Sequence, residues 1–582
     1  MKKLLLLFFV LSSFILYSQE ISYEISMPEP HTHYFEVKMN VSNYKKDYFD
    51  VQMPVWAPGS YLVREFAKSV ENVGASFNKK LIKTEQINKN TWRIYSNKAN
   101  NVNITYRVYA FELSVRTSFI DASHGYFNGT SMFMYINDLK NTPHQLTIVP
   151  YKDWKKVSTS LPKIEGKGFV YKAPNYDILV DSPVEIGNHE TFEFTSAGVL
   201  HHVAMYGKGN YDVEKLKVDM AKITQACTDV FGVNPNKEYT FIIHNLTVGS
   251  GGLEHLSSTT LQVNRWTYSG DDYKGFLSLV AHEYFHLWNV KRIRPIQLGP
   301  FDYNNENYTH LLWVMEGFTS YYDELLLYRA GIYKESEIIG KFTNSINRIE
   351  NQPGNKVQSA ADASFNAWIK AYRSNENSYN TTISYYTKGS VIANMLDLMI
   401  CNSTKGKKNL DDVMKTLYND FYLKEKRGFT NKEMQATLEK VSGLKLDDFF
   451  AKYINGTQTF DYTTMFGYAD MKVESMINTS PSLGMSLKSN NTIRTVYRGG
   501  SAYEGGLNVN DEVLAINGFR VNGNASDFIA DKNVGDKIDV LISRDNIIQT
   551  ISFPLKEKGS TQYYIFSDTE KKNAVFNKWL TK

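Results

Sequence analysis

Hydrophobic and polar residues alternate in short stretches through the first third of the chain. Residues 34–39 and 102–108 show this alternation, and clusters of asparagine, proline and glycine separate such stretches. A period of two residues indicates strands with one buried face. We therefore predict a β-sandwich-like N-terminal domain over residues 20–195.

From about residue 198 to residue 462 the spacing of the hydrophobic residues changes to three and four positions. This spacing is typical of amphipathic helices, so we predict a mainly helical domain over residues 196–465. Thr430 and Glu433 form a capping-box pattern at the start of one such segment. The predicted helical segments are 213–230, 273–290, 309–329, 387–400 and 430–441.

Short strand-like stretches return after this helical region. They centre on residues 506–518, which are rich in valine, isoleucine and leucine between glycine and asparagine. We predict a small β domain over residues 470–560 and a C-terminal tail over residues 561–582. The whole chain is thus expected to be a multidomain α+β protein.

The N-terminus has the order of a secretory signal peptide. Lys2 and Lys3 precede an apolar run over residues 4–16, and polar residues follow it. We predict that residues 1–19 are removed, with cleavage between Ser18 and Glu20. A retained membrane anchor is the alternative, but the apolar run falls short of the roughly 20 residues that span a bilayer. We expect export to the periplasm or the extracellular space and no membrane span in the mature chain.

Composition narrows the class of protein. In 582 residues, 42% hydrophobic and 22% charged residues are typical of packed globular domains. The 65 basic and 61 acidic residues nearly balance, which gives no electrostatic sign of a nucleic-acid partner. Cys227 and Cys401 are too few for a disulfide framework or a cysteine metal site, and whether they pair is left open.

The sequence His-Glu-Tyr-Phe-His, which begins at His282, is an H-E-x-x-H motif inside a predicted helix. His282 and His286 then lie one turn apart on one face, where two imidazoles can hold one Zn²⁺. Glu283 is placed to act as a general base on water. Asp271 and Asp272 are the predicted N-terminal cap of this helix. The alternative is a surface helix in which these residues occur by chance.

A catalytic zinc needs a third protein ligand from another element. Glu316 lies in an otherwise apolar segment, where a bare carboxylate would be costly unless it is paired or bound to a metal. Asp323 and Glu324 are poorer choices because their positions are more polar. We therefore predict one Zn²⁺ per chain, held by His282, His286 and Glu316. A partly exposed glutamate at a helix start is the alternative reading of Glu316.

Together these motifs resemble the gluzincin group of zinc peptidases, which includes thermolysin and the large aminopeptidases, and in particular the glycyl aminopeptidase family. The resemblance covers nearly the whole mature chain. It implies a thermolysin-like catalytic domain, peptide substrates and a preference for a small first residue, Gly or Ala. The motifs that carry it are HEYFHLWNVKRIR at 282–294, GGLEH at 251–255, EGFT at 316–319 and WAPGSY at 56–61.

The resemblance also implies how the substrate amine is bound. Glu254 corresponds to the acid with which related aminopeptidases hold the free N-terminus, and a carboxylate suits an ammonium group. Gly251 and Gly252 would let the substrate backbone approach a strand edge. His255 stands where the larger relatives have asparagine. A loop acid without function is the alternative reading of Glu254.

Tyr386 begins a Tyr-Thr-Lys-Gly sequence that resembles the segment supplying a transition-state tyrosine in those relatives. A phenol that donates to the developing oxyanion is useful for amide hydrolysis. The alignment favours Tyr386 over its neighbour Tyr385. The alternative is a core tyrosine.

A second resemblance concerns residues 482–487, which are similar to the Gly-Leu-Gly-Phe type loop of PDZ domains. Such modules hold the C-terminal carboxylate of a peptide, and Leu483, Gly484 and Met485 would form the loop. The alternative is a small β sandwich without a ligand.

These observations predict an exported zinc metallo-aminopeptidase. The first alternative is a thermolysin-type endopeptidase, in which Glu254 contacts the substrate without requiring a free amine. The second is a peptide-binding scaffold without catalysis, which the intact H-E-x-x-H motif argues against.

Overall fold

The structure is a computed structural model, and it describes residues 19–522, 524–567 and 571–580. Most of the predicted signal peptide, residues 1–18, therefore lies outside the described residues. The chain separates into two compact units. One comprises the chain up to Val55 together with Glu65–His189, and the other comprises Trp56–Arg64 together with the chain from Glu190 onwards.

The first unit is rich in β structure, as the alternating pattern predicts. In strand β2, every second side chain from Phe35 to Val41 is buried. Its sheets have the orders β13-β11-β1-β2-β8-β4-β5, β12-β14-β10-β9 and β3-β7-β6. The elements are β1 (Glu20–Ser26), β2 (Tyr34–Ser42), β3 (Phe49–Gln52), β4 (Val70–Phe77), β5 (Lys80–Ile82), β6 (Thr84–Asn88), β7 (Thr91–Ile94), β8 (Asn101–Tyr109), β9 (Ser118–Ile120), β10 (His124–Phe127), β11 (His144–Val149), β12 (Lys156–Ser158), β13 (Val170–Ala173), α1 (Tyr176–Val180) and β14 (Val184–Gly187).

The second unit begins with a five-stranded sheet of order β15-β16-β17-β19-β18. β16, β17 and β19 are parallel neighbours. The two edge strands are antiparallel to their neighbours, β15 to β16 and β18 to β19. The strands are β15 (Glu190–Ser196), β16 (Val199–Tyr206), β17 (Glu238–Leu246), β18 (Gly251–Glu254) and β19 (Ser258–Asn264).

Helices dominate the next part of this unit, as the three- and four-residue spacing predicts. The predicted capping box at Thr430 and Glu433 is confirmed, because each side chain accepts a hydrogen bond from the backbone of the other. The helices are α2 (Val213–Phe231), α3 (Gly270–Phe285), α4 (Leu312–Met315), α5 (Gly317–Arg329), α6 (Glu335–Glu350), α7 (Ala360–Phe365), α8 (Ser378–Thr381), α9 (Tyr385–Ser403), α10 (Leu410–Leu417), α11 (Asn431–Ser442), α12 (Asp447–Phe449) and α13 (Tyr462–Gly467).

Two predicted details of the helices are wrong. The segment predicted as one helix over 309–329 is divided at Glu316, between α4 and α5. Ser269, not an aspartate, is the N-cap residue of α3, and Asp271 and Asp272 lie in its first turn. In the first turn the two carboxylates still stabilise the helix, because they interact favourably with the positive end of its dipole.

Shorter turns connect these helices and the strands of both units. The π-helical segments are Ala367–Ala371, Tyr418–Glu425 and Phe450–Ile454. The 3-10 segments are Pro30–Thr32, Phe66–Ser69, Gly129–Ser131, Asn137–Leu139, Ile296–Leu298, Pro353–Lys356 and Ala525–Ile529.

The last part of the second unit is a small β-rich module with its own hydrophobic core. That core includes Leu483, Ile493, Val513 and Ile538. Its elements are β20 (Lys472–Asn478), β21 (Pro481–Ser482), β22 (Met485–Leu487), β23 (Ile493–Val496), α14 (Ser501–Gly505), β24 (Glu512–Ile516), β25 (Phe519–Arg520), β26 (Lys537–Arg544), β27 (Ile547–Pro554), β28 (Lys556–Glu557) and β29 (Ser560–Phe566).

The segment 561–582, which we predicted to be a tail, contains a strand and a helix among its described residues. Strand β29 pairs with β20, and helix α15 (Ala574–Trp579) follows. Trp579 is fully buried, and its Nε1 donates to Tyr321 Oη and to Asn394 Oδ1. An isolated sequence pattern does not reveal this strand, because its partner lies about 90 residues earlier in the chain.

Cys227 and Cys401 are both buried and free. Among the described residues, no helix combines the length and the apolar character that crossing a membrane requires.

Candidate metal centre and active site

Three side chains predicted as metal ligands lie together in the second unit. His282 and His286 are at the C-terminal end of α3, and Glu316 is at the junction of α4 and α5. Glu316 Oε2 lies 3.6 Å from His282 Nε2 and 3.2 Å from His286 Nε2. One donor atom from each residue lies within 4.8 Å of the other two.

The other ring nitrogen of each histidine is held by a different group. His282 Nδ1 lies 2.9 Å from Asp323 Oδ2, and His286 Nδ1 lies 2.5 Å from the carbonyl oxygen of Asn289. When each Nδ1–H donates in these bonds, the lone pair of each Nε2 is directed to the side where Glu316 lies. Asp323, a poorer choice than Glu316 as a ligand by its polar position, instead orients His282, a role that the sequence analysis does not predict. Its spacing of two helical turns from Glu316 was the available signal.

Asn289 connects the two segments that carry the ligands. No motif or spacing in the sequence indicates this role. Its side-chain Nδ2 donates to the carbonyl oxygens of Val314 and Met315, each at 3.1 Å. It also donates to Thr319 Oγ1 at 3.1 Å. The backbone carbonyl oxygen of Asn289 accepts a hydrogen bond from His286 Nδ1. One buried residue therefore fixes His286 relative to the segment that carries Glu316.

The acid and the imidazoles stabilise one another's charged forms. Burial by itself would raise the pKa of Glu316, but His286 and His282 lower it to about 2. Burial would lower the pKa of His282, but hydrogen bonds to Asp323 and Glu316 raise it above its usual value. Glu316 is therefore held as a carboxylate, which is the form that binds a metal ion.

The donor set fits a divalent cation. Two imidazole nitrogens and one carboxylate oxygen, with the opposite imidazole nitrogens already hydrogen-bonded, are the ligands and outer contacts of catalytic zinc sites. Two nearby buried carboxylate oxygens, Glu283 Oε2 and Glu254 Oε1, form no hydrogen bond. Such oxygens are costly to bury without a partner, so the centre has the polar atoms that a substrate and water would satisfy.

Glu283 lies beside the histidines with 5% of its surface exposed. Burial raises its pKa to about 7, although the charges of His282 and His286 oppose the rise. Gly252 of β18 packs against this side chain so closely that a Cβ at residue 252 would overlap the Glu283 carboxylate. A general base near neutral pKa is well suited to take up and return a proton.

Glu254 is the last residue of β18, the edge strand of the five-stranded sheet, and 4% of its surface is exposed. One of its carboxylate oxygens lies within 4.8 Å of the corresponding atoms of Glu283 and His286. Gly59, at φ +87°, lies against the Glu254 carboxylate, which a Cβ at residue 59 would overlap. Gly251, Gly252 and Glu254 thus lie on an edge strand that ends at the Glu254 carboxylate, whose Oε1 forms no hydrogen bond within the described residues.

Of the two tyrosines at the start of α9, Tyr386 is the one beside the metal ligands. Its ring centroid lies 6.2 Å from that of His282, and it is half-buried, whereas Tyr385 is 1% exposed. Burial, and then Glu316 and Tyr385, raise the pKa of Tyr386 well above its usual value. Tyr386 therefore keeps its proton and can donate a hydrogen bond.

The segment 56–61 contributes an aromatic wall that the sequence motif alone did not explain. The Tyr61 ring lies 5.6 Å from Trp368 and 6.2 Å from Tyr372, measured between centroids. Burial, followed by the charges of Glu316 and Glu254, raises the pKa of Tyr61 well above its usual value. Tyr61 therefore lies within electrostatic reach of both the candidate metal ligand and the acid at the strand edge.

The predicted PDZ-like loop belongs to the C-terminal module and not to this centre. Leu483 and Gly484 join β21 to β22, and Met485 is the first residue of β22. Gly484 has φ +71°, and its N–H donates to Ser482 Oγ. The backbone N–H groups of Ala502 and Tyr497 donate to the carbonyl oxygens of Leu483 and Gly484.

Comparisons with known proteins agree with this geometry. Residues 22–188 match the Peptidase M61 N-terminal domain, and residues 275–392 match the M61 glycyl aminopeptidase model. A search of curated proteins gave no match. A crystal structure of an aminopeptidase N family protein from Idiomarina loihiensis is 30% identical, covers 97% of this chain and 100% of its own, and has a TM-score of 0.90.

A more distant structure is similar in fold. An M1 zinc metallopeptidase from Deinococcus radiodurans is 12% identical, with a TM-score of 0.50 over 76% of this chain and 94% of its own. The near-complete coverage of the 30% identical relative and the two family matches decide the assignment. This chain belongs to the M61 glycyl aminopeptidase family and is an enzyme of the metallo-aminopeptidase type.

Proposed function

We propose that this protein is an exported zinc aminopeptidase that removes a small first residue, Gly or Ala, from peptides. The observation that carries the proposal is the unpaired Glu254 carboxylate beside the cluster of His282, His286 and Glu316. One zinc ion would be held by these three ligands. When bound, zinc polarises a carbonyl and makes water more acidic.

The remaining steps are assigned to groups of the chain itself. Glu283 removes a proton from the attacking water and returns it to the leaving amine, since its carboxylate has no other partner. Tyr386 donates a hydrogen bond to the developing oxyanion. Glu254 binds the substrate ammonium group, and the edge strand that contains Gly251 and Gly252 lies beside the substrate backbone.

A small first residue is supported by the position of Tyr61. The first residue of a substrate must extend from Glu254, which holds its amine, to the metal ligands, where its carbonyl reacts. Tyr61 lies two residues after Gly59, whose backbone packs against the Glu254 carboxylate, and its ring is supported by Trp368 and Tyr372. Its phenol would therefore limit the space for the first side chain.

Export is supported by the basic, apolar and polar order of residues 1–20. Mass spectrometry of the mature N-terminus tests this part of the proposal. A mature chain that keeps Met1 would contradict it.

The C-terminal module is proposed to bind the C-terminus of a peptide in a PDZ-like manner. Among the described residues, β22 pairs with β23 in a two-stranded sheet, and its other edge would accept an added peptide strand. Met485, Leu487 and Phe528 pack on the module's core from partly exposed positions. A long peptide with a free C-terminus should bind more tightly than its amide in a fluorescence titration, and Gly484→Glu should abolish the difference. Equal binding of acid and amide would count against this role.

The role of Glu283 can be separated from metal binding. Glu283→Gln should lower kcat for Ala-anilide hydrolysis about 10²- to 10⁴-fold, because a general base is lost while the ligands remain. Metal content, measured by mass spectrometry, should stay at one zinc per chain. The surface variant Glu376→Gln serves as control and should match the unaltered enzyme. Undiminished turnover by Glu283→Gln would favour the scaffold alternative.

Requirement for a free amine distinguishes an aminopeptidase from an endopeptidase. Acetylation of the N-terminus of Ala-Ala-Ala should abolish cleavage, because Glu254 loses its charged partner. Product analysis by chromatography checks this, with the unblocked peptide as control. Equal cleavage of the two peptides would instead establish the thermolysin-type alternative.

The proposed limit on the first side chain is tested by Tyr61→Ala. Removing the phenol should raise the ratio of kcat/KM for Leu-anilide over Ala-anilide about tenfold, in the range of side-chain discrimination by one pocket. Tyr61→Phe keeps the ring and should keep the ratio. An unchanged ratio in Tyr61→Ala would show that another group sets the preference.

A further inference from the structure

A cavity of about 700 Å³ begins at the two tyrosines that start α9. Tyr385 and Tyr386 form one wall, and α6 and the segment 367–384 form the others. The volume is in the range of pockets that enclose small ligands. All of these residues belong to the second unit.

Tyr386 lines this cavity and also lies near the candidate metal ligands. Its ring centroid lies 6.2 Å from that of His282. In the proposed function, the first residue extends from Glu254 to Tyr386, where its peptide bond is cut. A leaving part that continues past Tyr386 in this proposed direction would enter the cavity that Tyr386 lines.

The charged side chains of the described residues that line the cavity all have the same sign. Among the described residues that line it, Arg348 and Lys370 are basic and none is acidic. Arg348 is exposed and forms no ion pair within the described part of the chain. Lys370 is 3.9 Å from Asp362, and both side chains are too exposed for this contact to neutralise the lysine.

Two further features favour an anion. The wall includes the first turn of α9, a helix of 19 residues whose N-terminus carries partial positive charge. Tyr385, which lines this wall, is buried, and its hydroxyl forms no hydrogen bond within the described residues. A buried hydroxyl without a partner is costly, and a ligand oxygen would satisfy it.

We propose that this cavity binds a carboxylate of the leaving peptide, with Arg348 as its main charged contact. The site then favours short peptides, whose own C-terminal carboxylate reaches the cavity once the amine is held at Glu254. An acidic side chain in the leaving part is the second source of the same group. The inference rests on the proposed function, because it uses the direction in which the substrate lies.

The test compares Ala-Ala-Ala with its C-terminal amide and with Ala-Asp-Ala amide. The free acid should have a kcat/KM about tenfold above the Ala-Ala-Ala amide, the size expected for one charge-assisted hydrogen bond. Arg348→Gln should reduce this acid-to-amide ratio to near one. Arg373→Gln, a nearby exposed arginine outside the lining, should leave the ratio as it is in the unaltered enzyme.

The third peptide distinguishes the two sources of the carboxylate. If Ala-Asp-Ala amide matches the free acid and loses this advantage in Arg348→Gln, the side-chain carboxylate also uses the cavity. A ratio near one in the unaltered enzyme, or an equal ratio in Arg348→Gln, overturns the proposal.

Binding measurements keep the test independent of turnover. The zinc-loaded Glu283→Gln variant is titrated calorimetrically with the same three peptides. The Ala-Ala-Ala free acid should bind more tightly than its amide. Adding Arg348→Gln to this variant should remove the difference in affinity. Equal affinities for acid and amide overturn the cavity assignment. Failure of the unaltered enzyme to hydrolyse Ala-anilide contradicts the proposed function instead, since that substrate has no leaving peptide.

Discussion

Glu316 is 2% exposed, and an ionised carboxylate at that depth would cost several kcal/mol if it were left without a partner. The two imidazoles of α3 lie close enough to offset this cost, and they can do so only if their rings are fixed. Asp323 and the Asn289 carbonyl fix them from the opposite side. The arrangement of α3, α4 and α5 therefore follows from the need to keep one buried charge compensated.

Small residues allow the surrounding backbones to approach this charge. Gly317, directly after the acid, and Gly389 of α9 are in such close contact that a Cβ on either residue would overlap the opposite backbone. This contact brings the first turn of α9, and with it Tyr386, beside the ligands. Gly252 and Gly59 bring two more backbones against Glu283 and Glu254 in the same way. Main chain thus packs directly against the Glu283 and Glu254 carboxylates, whereas Glu316 is held by imidazole side chains.

The parts of this centre that depend on local spacing could be predicted from the sequence. The H-E-x-x-H spacing determines that His282 and His286 share a helix face, and an acid in an apolar segment pointed to Glu316. The two-turn spacing relates Asp323 to Glu316, but its bond to His282, like the role of Asn289, depends on how two separate segments pack and could not be predicted from spacing alone. The same reason explains why strand β29 was expected to be part of a tail, since its partner β20 is remote in sequence.

The position of Gly59 also bears on why the enzyme should act at a chain end. The segment Trp56–Arg64 belongs by its contacts to the second unit, where Trp56 Nε1 donates to the Asp302 carbonyl oxygen. At Gly59 its backbone lies against the Glu254 carboxylate, and Tyr61 follows two residues later. A substrate that continued beyond its amine would have to displace this segment, whereas a terminal ammonium group only replaces water and gains a charged partner. The backbone at Gly59 excludes a longer chain, and the Glu254 carboxylate attracts a terminal ammonium group. Both effects favour binding of a substrate by its N-terminus, so neither has to account for all of the preference for a chain end.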